Sequence, residues 1–274
     1  GRGRGRWWIV NLWEAAHQRY TGLTSIVIPV YEQWEYTKAC LDSIAQHTGP
    51  AHEIMVVDNA STDATGPQLK RRAADAPDLM VMTNCENVGF TVAANQGMRA
   101  AEGDFVVLLN NDTQVRPGWL QGLLQLARSD DRIGIVTPKL VRPDTGLLQG
   151  IGGLVFCKRG IRPPIGEDQP PDTPGLQNPL QVQYAEGSCM LIKRRVIDTI
   201  GYLDESYAPA YYEDTDYCFR AREAGFRVMY SPYATVWHHS TVTAQAVGRE
   251  DDMLLRARHR NDRIFRERWS HRFW

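Results

Sequence analysis

A chain of 274 residues can bury roughly 75% of its unfolded surface, so it needs no covalent staple to fold. Its 31 Lys plus Arg against 32 Asp plus Glu leave a near-neutral balance, which offers no global field for nucleic acid. Five cysteines, Cys40, Cys85, Cys157, Cys189 and Cys218, stand singly with no C-x-x-C pair, arguing against a disulfide framework or zinc cluster and for a reducing, cytoplasmic setting. No apolar run reaches the ~18 residues of a membrane span, and the start lacks the apolar core of a signal peptide.

The first six residues alternate Gly and Arg ahead of Trp7-Trp8, so 1–22 reads as linker and N-terminal segment, and the chain as a region of a longer protein with neighbouring domains. From Thr24 to about Pro138, short β-branched runs alternate with helical stretches, the mark of βαβ units in a mostly parallel sheet. Strands are expected at 25–29, 54–57, 79–82, 105–109 and 133–137. Between them Leu41, Ile44 and Ala45, then Val92, Ala93, Met98 and Ala101, then Leu120, Leu123, Leu124 and Ala127 recur at helical spacing. These stripes are core.

Past Pro138 the alternation fades, and 162–181 holds six prolines, predicting a long loop. Order returns at 183–185 and 189–193, with helices at 195–200 and about 215–224, each stopped by a glycine, Gly201 or Gly225. A last strand pair is expected near 228–230 and 234–237. The Arg-rich tail, with Met253, Leu254, Leu255, Ile264, Phe265 and Trp269 interleaved, should be an amphipathic helix. It can pack on the parent fold or lie peripherally on anionic lipid. The expected organisation is thus 23–140 as a nucleotide-binding half, 141–240 as an acceptor half of the same domain, and 241–274 as a tail.

Ligands of open α/β sheets collect at the carboxyl ends of the strands. Four polar clusters stand there: Val30-Tyr31, Asp58 to Asp63, Asn87 to Phe90, and Asn110-Asn111-Asp112. Asp58 can accept a hydrogen bond from a nucleobase ring N–H, or form an Asx turn before a helix. Neither G-x-G-x-x-G nor a P-loop is present, so a metal must neutralise any diphosphate. Asp112 is placed to hold Mg²⁺ or Mn²⁺ bridged to substrate phosphates.

These clusters, with Ala94-Asn95-Gln96-Gly97 and Tyr212-Glu213-Asp214-Thr215-Asp216, resemble the inverting family-2 glycosyltransferases of GT-A fold over about 24–240. The resemblance implies an α/β, Rossmann-like, mostly parallel central sheet flanked by helices, with a smaller mixed sheet on the acceptor side. It implies a nucleotide-diphosphate sugar donor, UDP- or dTDP-linked, and a hydroxyl acceptor on a cell-surface polysaccharide or lipid-linked glycan. Pro29, Val30, Tyr31, Asp58, Asn87, Asn110 and Asn111 then serve the donor. Asp112 takes the last place of the family's Asp-x-Asp metal motif, whose first place is here Asn110, a variant similar to rhamnosyltransferase-like members and suggestive of dTDP-rhamnose. His238 resembles the family's late histidine ligand, with His239 as its rival. Asp214 is the implied catalytic base, and Glu213 and Tyr212 face the acceptor.

Two other readings stand beside this one. A nucleotidyltransferase would need a glycine-rich basic loop where Pro29-Val30-Tyr31-Glu32 stands. A catalytically silent sugar- or nucleotide-binding domain would not need Asp112, Asp214 and His238 together.

Overall fold

The computed structural model describes residues 22–156, 160–161, 163–240 and 252–272. The expectations for the first 21 residues and for Cys157 lie outside them. Strands β1 (Thr24–Val30), β2 (His52–Asp58), β3 (Leu79–Thr83), β4 (Phe105–Leu109), β5 (Thr113–Val115), β6 (Ile133–Val141), β7 (Leu148–Gly150), β10 (Leu180–Gln181), β11 (Cys189–Lys193) and β12 (Arg227–His238) form one sheet, ordered β10-β12-β6-β11-β4-β1-β2-β3. β5 adds to β12 and β7 to β6, while β8 (Val155–Phe156) and β9 (Gly160–Ile161) make a separate two-stranded piece. The acceptor-half strands therefore extend the central sheet instead of building the smaller one expected. β11 runs antiparallel between β4 and β6, which makes the large sheet itself mixed.

Seven α-helices are described: α1 (Trp34–His47), α2 (Thr65–Asp75), α3 (Phe90–Ala100), α4 (Trp119–Ser129), α5 (Arg194–Ile200), α6 (Glu213–Glu223) and α7 (Asp252–Trp269). Strand side chains alternate between two apolar layers, as a period of two requires when both faces are covered. Val27, Val106 and Leu108 share one core with Met98 of α3, Phe219 of α6 and Phe265 and Trp269 of α7. Ile26, Ile28, Val107 and Leu109 share the other with Leu41 and Ile44 of α1, Leu69 of α2 and Leu123 of α4. Gly97 is required by the first layer, because a Cβ there would stand 2.3 Å from Val27 Cγ1.

The chain winds from β1 outward through β2 and β3, then returns to add β4 on β1's other side. That reversal opens a crevice at the carboxyl ends of β1 and β4, the general ligand position in such sheets. β12 is one continuous strand, not the expected pair; its parallel pairing with β6 shifts register between Tyr230 and Thr235. Residues 183–185 form an isolated bridge, Gly153 to Tyr184, instead of a strand.

Helix α7 belongs to the core it covers. Phe265 and Trp269 are 1% and 3% exposed, so neither is available to lipid. Buried Asn261 donates its amide to the carbonyls of Tyr207, Ala210 and Tyr211 at 2.6, 2.9 and 2.9 Å. Among the described residues no helix is long and apolar enough to cross a membrane.

Candidate active site

The crevice is a cavity of about 780 Å³ whose walls come from both halves of the sheet. Pro29, Val30 and Tyr31 enter from the end of β1, Asn87 to Phe90 from the end of β3, and Asn110 to Asp112 from the end of β4. The opposite wall brings Glu186, Gly187 and Ser188 before β11, the segment before α6 with Glu213 and Asp214, and His238 at the end of β12.

Local chemistry shapes these walls. Asn59 donates to Asn87 Oδ1 at 2.7 Å and accepts from Asn84 and from the Val88 N–H, which folds 84–89 against the sheet edge. Gly89 sits at φ 82° with no room for a Cβ, which would fall 2.6 Å from Pro209 Cα. That contact lets 207–212 lie directly on the donor side, where the Thr91 N–H donates to the Pro209 carbonyl. Tyr211 and Tyr212 both hold left-handed φ, 78° and 76°, a strained geometry that Asn261 helps to hold.

At the end of β4, the antiparallel pairing of β5 with β12 sets His238 opposite Thr113, one residue from Asp112. His238 Nε2 stands 3.2 Å from Asp112 Oδ1. Both atoms are buried and neither has a hydrogen-bond partner, so close approach here is not a formed hydrogen bond. His239 turns away: its N–H donates to the Asp112 carbonyl, and its ring meets Tyr36. Asn110 Oδ1 is likewise buried without a partner. Such orphaned lone pairs suit a divalent cation, for which imidazole and carboxylate are ordinary donors. Among the described residues no group of three His, Cys, Asp or Glu side chains is arranged to hold a metal ion by itself.

Lining the same cavity, Asp214 accepts from the Gly187 N–H at 2.8 Å on one oxygen and from the Thr215 N–H at 2.6 Å and hydroxyl at 3.1 Å on the other. Burial raises its pKa above the ordinary aspartate value, opposed by those donors. Glu213 is raised well above that range by burial, then by the Asp214 charge, and its Oε2 has no partner. Glu186, likewise enclosed, is pushed up to about 7, chiefly by burial. Of the three carboxyls, Asp214 is the one whose ionised form is held by three donors.

Two sequence-based expectations are corrected by placement. Tyr212 does not face the cavity; its hydroxyl donates to Asp262 of α7 at 2.7 Å and its ring packs on Phe265. The neighbouring Tyr211 lines the cavity in its stead. Asp58 lies behind the wall, 1% exposed, with Oδ1 accepting from the Ser61 N–H in the Asx-turn arrangement. Gln149, Ser188, Met253 and Leu254 line the cavity without having been singled out. Gln149 sits on a three-residue strand too short to show a period, and Met253 and Leu254 begin α7, far along the chain.

The profile of the family "Glycosyl transferase family 2" matches residues 25–201. The chain belongs to that family. An N-acetylglucosaminyl-diphospho-decaprenol L-rhamnosyltransferase of Mycobacterium tuberculosis is 28% identical over 265 residues, covering 89% of this chain and 84% of its own. An uncharacterized protein of Sinorhizobium fredii is 28% identical over 91% of this chain, and the O-antigen biosynthesis protein RfbC of Myxococcus xanthus 28% over 83%. The chain spans only 28% and 18% of the length of those two relatives. Among solved structures, GalNAc-T7 with UDP, GalNAc and Mn²⁺ superposes with TM-score 0.66 at 17% identity, covering 79% of this chain and 43% of that one. The mannosyltransferase PcManGT of Pyrobaculum calidifontis, with GDP-Man and Mn²⁺, gives 0.60 at 20% identity, covering 86% and 60%. These likenesses establish the GT-A fold of this family-2 glycosyltransferase.

Proposed function

We propose that this family-2 chain is an inverting, metal-dependent transferase that moves a sugar from a UDP- or dTDP-linked donor, dTDP-rhamnose among them, to a hydroxyl of a surface polysaccharide or lipid-linked glycan. The observation that carries this reading is the facing pair on one cavity: the orphaned Asp112 and His238 donors, and the triply hydrogen-bonded Asp214 carboxylate. The M. tuberculosis relative, named a rhamnosyltransferase acting on a lipid diphosphate sugar, supports the donor and acceptor class.

Val30, Tyr31, Asn87, Asn110 and Asn111 form the donor wall, with Pro29 at its base; Asp58, behind that wall, is assigned to the turn. Asp112 and His238 would hold Mn²⁺ or Mg²⁺, which when bound supplies positive charge against the negative charge that grows on the departing diphosphate. Asp214 takes the proton from the acceptor hydroxyl as that oxygen bonds to the anomeric carbon. The bond from that carbon to the diphosphate oxygen breaks on the opposite face, and the electron pair leaves with the nucleotide. Configuration inverts in one displacement, and the chain's carboxylates form no bond to the sugar. Glu213, whose pKa burial raises well above the usual carboxylate range, lines the acceptor side of the cavity beside Asp214.

Thermal unfolding with UDP, dTDP, GDP or CMP, each with Mn²⁺ or with EDTA, tests this. A nucleotide at ~100 times its dissociation constant adds about 2.7 kcal/mol, hence roughly 5–10 °C for a domain of this size. The expected result is a shift with UDP or dTDP that EDTA abolishes. No shift with any nucleotide would favour a silent binding domain.

A further inference from the structure

Along the wall that carries Glu186 and His238 runs a chain of hydrogen bonds that no step of the transfer uses. Glu186 Oε2 accepts from Gln149 Nε2 at 3.0 Å. Gln149 Oε1 then lies 2.8 Å from His238 Nδ1 and accepts from the Ser240 hydroxyl, also at 2.8 Å. Because Glu186 takes up the amide's N–H, the oxygen end of Gln149 is the end that faces His238. An amide oxygen only accepts, so Nδ1 must be the nitrogen that carries hydrogen. In the neutral imidazole Nε2 then keeps its lone pair, 3.2 Å from the unpartnered Asp112 Oδ1. Two lone pairs facing each other at that distance in a buried place repel unless a proton or a metal cation lies between them.

Resting on the metal reading above, we propose that Gln149 is a positioning residue that fixes His238 as the Nδ1–H tautomer, with its Nε2 lone pair presented to a divalent cation, and that Glu186 sets the direction of the Gln149 amide. The arrangement is the second layer by which metal-binding imidazoles are commonly oriented. A Cβ at Gly150 would lie 2.2 Å from Pro164 Cβ and 2.6 Å from Glu186 Oε1, so a larger residue there would crowd the Pro164 ring and the Glu186 carboxyl together. Gln149 and His238 come from β7 and β12, strands that share β6 as neighbour, so their meeting depends on the sheet register and not on sequence proximity.

The first measurement is ¹⁵N NMR of the histidine side chains in the metal-free protein, which distinguishes the two neutral tautomers. His238 is expected as Nδ1–H in the native chain and in Glu186→Gln, whose amide oxygen still accepts from Gln149. In Gln149→Ala that preference is expected to disappear. The second is Mn²⁺ alone, titrated by the EPR signal of the free ion: Gln149→Ala should bind roughly 10–100-fold more weakly than the native chain, with Glu186→Gln close to native. Matching metal-free unfolding temperatures exclude a general loss of fold. A native His238 in the Nε2–H form, or equal Mn²⁺ affinity in the native chain and Gln149→Ala, overturns the relay while leaving the metal reading intact. Absence of Mn²⁺ binding by the native chain overturns the metal reading and the relay with it.

Discussion

Asp214→Asn is expected to slow sugar transfer roughly 100- to 10,000-fold, the usual contribution of a general base. The substitution changes charge and not shape. The amide oxygen can still accept from the Gly187 or Thr215 N–H, and the donor wall across the cavity is untouched. Nucleotide binding, read as the Mn²⁺-dependent thermal shift, should therefore stay native while turnover collapses. Near-normal turnover would remove Asp214 from the chemistry and turn attention to Glu186 or Glu213 on the same wall. The pH dependence carries the same information. Burial raises the Asp214 pKa, and a base works only when deprotonated, so native turnover should fall on acidification at a pH higher than that at which an ordinary aspartate titrates.

The second large effect concerns stability. Asp216, fully buried, accepts from the Tyr207 hydroxyl at 3.1 Å, the Trp269 indole at 2.8 Å, and Arg268 and Arg220, each at 2.9 Å. Asp216→Ala removes the acceptor of the Tyr207 hydroxyl and the Trp269 indole and one partner of each arginine, although Arg268 keeps Asp204 at 2.8 Å and Arg220 keeps the Ile200 and Tyr202 carbonyls. Breaking a buried pair in this way costs about 3–5 kcal/mol. Arg268 is 37% exposed and Arg220 21%, so water can recover part of the loss, and about 3 kcal/mol is the expected value. That corresponds to a melting temperature lowered by roughly 6–12 °C. Asp216→Asn, which keeps one acceptor oxygen, should fall between. A native melting temperature in Asp216→Ala would mean that α7 is held without this network, by Phe265 and Trp269 burial together with the Asn261 and Asp262 hydrogen bonds. Because Asp216 stands two residues beyond Asp214, the same network anchors the helix that carries the base.

The sheet and the donor edge were legible in the sequence because each rests on local chemistry. Apolar runs such as Phe105 to Leu109 end in polar clusters, and parallel pairing forces those ends to one side. What was not legible depends on register and on distant contacts. The direction of Tyr212 is decided by Asp262, fifty residues later. Asp58 reads by itself as a turn residue and by family resemblance as a ligand, and in the structure Ser61 donates to it as the turn requires. β12 reads as two strands because its pairing slips between Tyr230 and Thr235. The meeting of His238 with Asp112, suggested by family resemblance, acquires its physical cause only in the β5–β12 register.

The most direct test of the metal-dependent donor site is a crystal of the protein grown with Mn²⁺ and dTDP or UDP, with the anomalous signal of manganese recorded. A peak within coordination distance of Asp112 and His238, touching the diphosphate, with Asp214 on the far side of the sugar pocket, is the predicted result. Nucleotide bound with manganese elsewhere, or with none at Asp112, would contradict it.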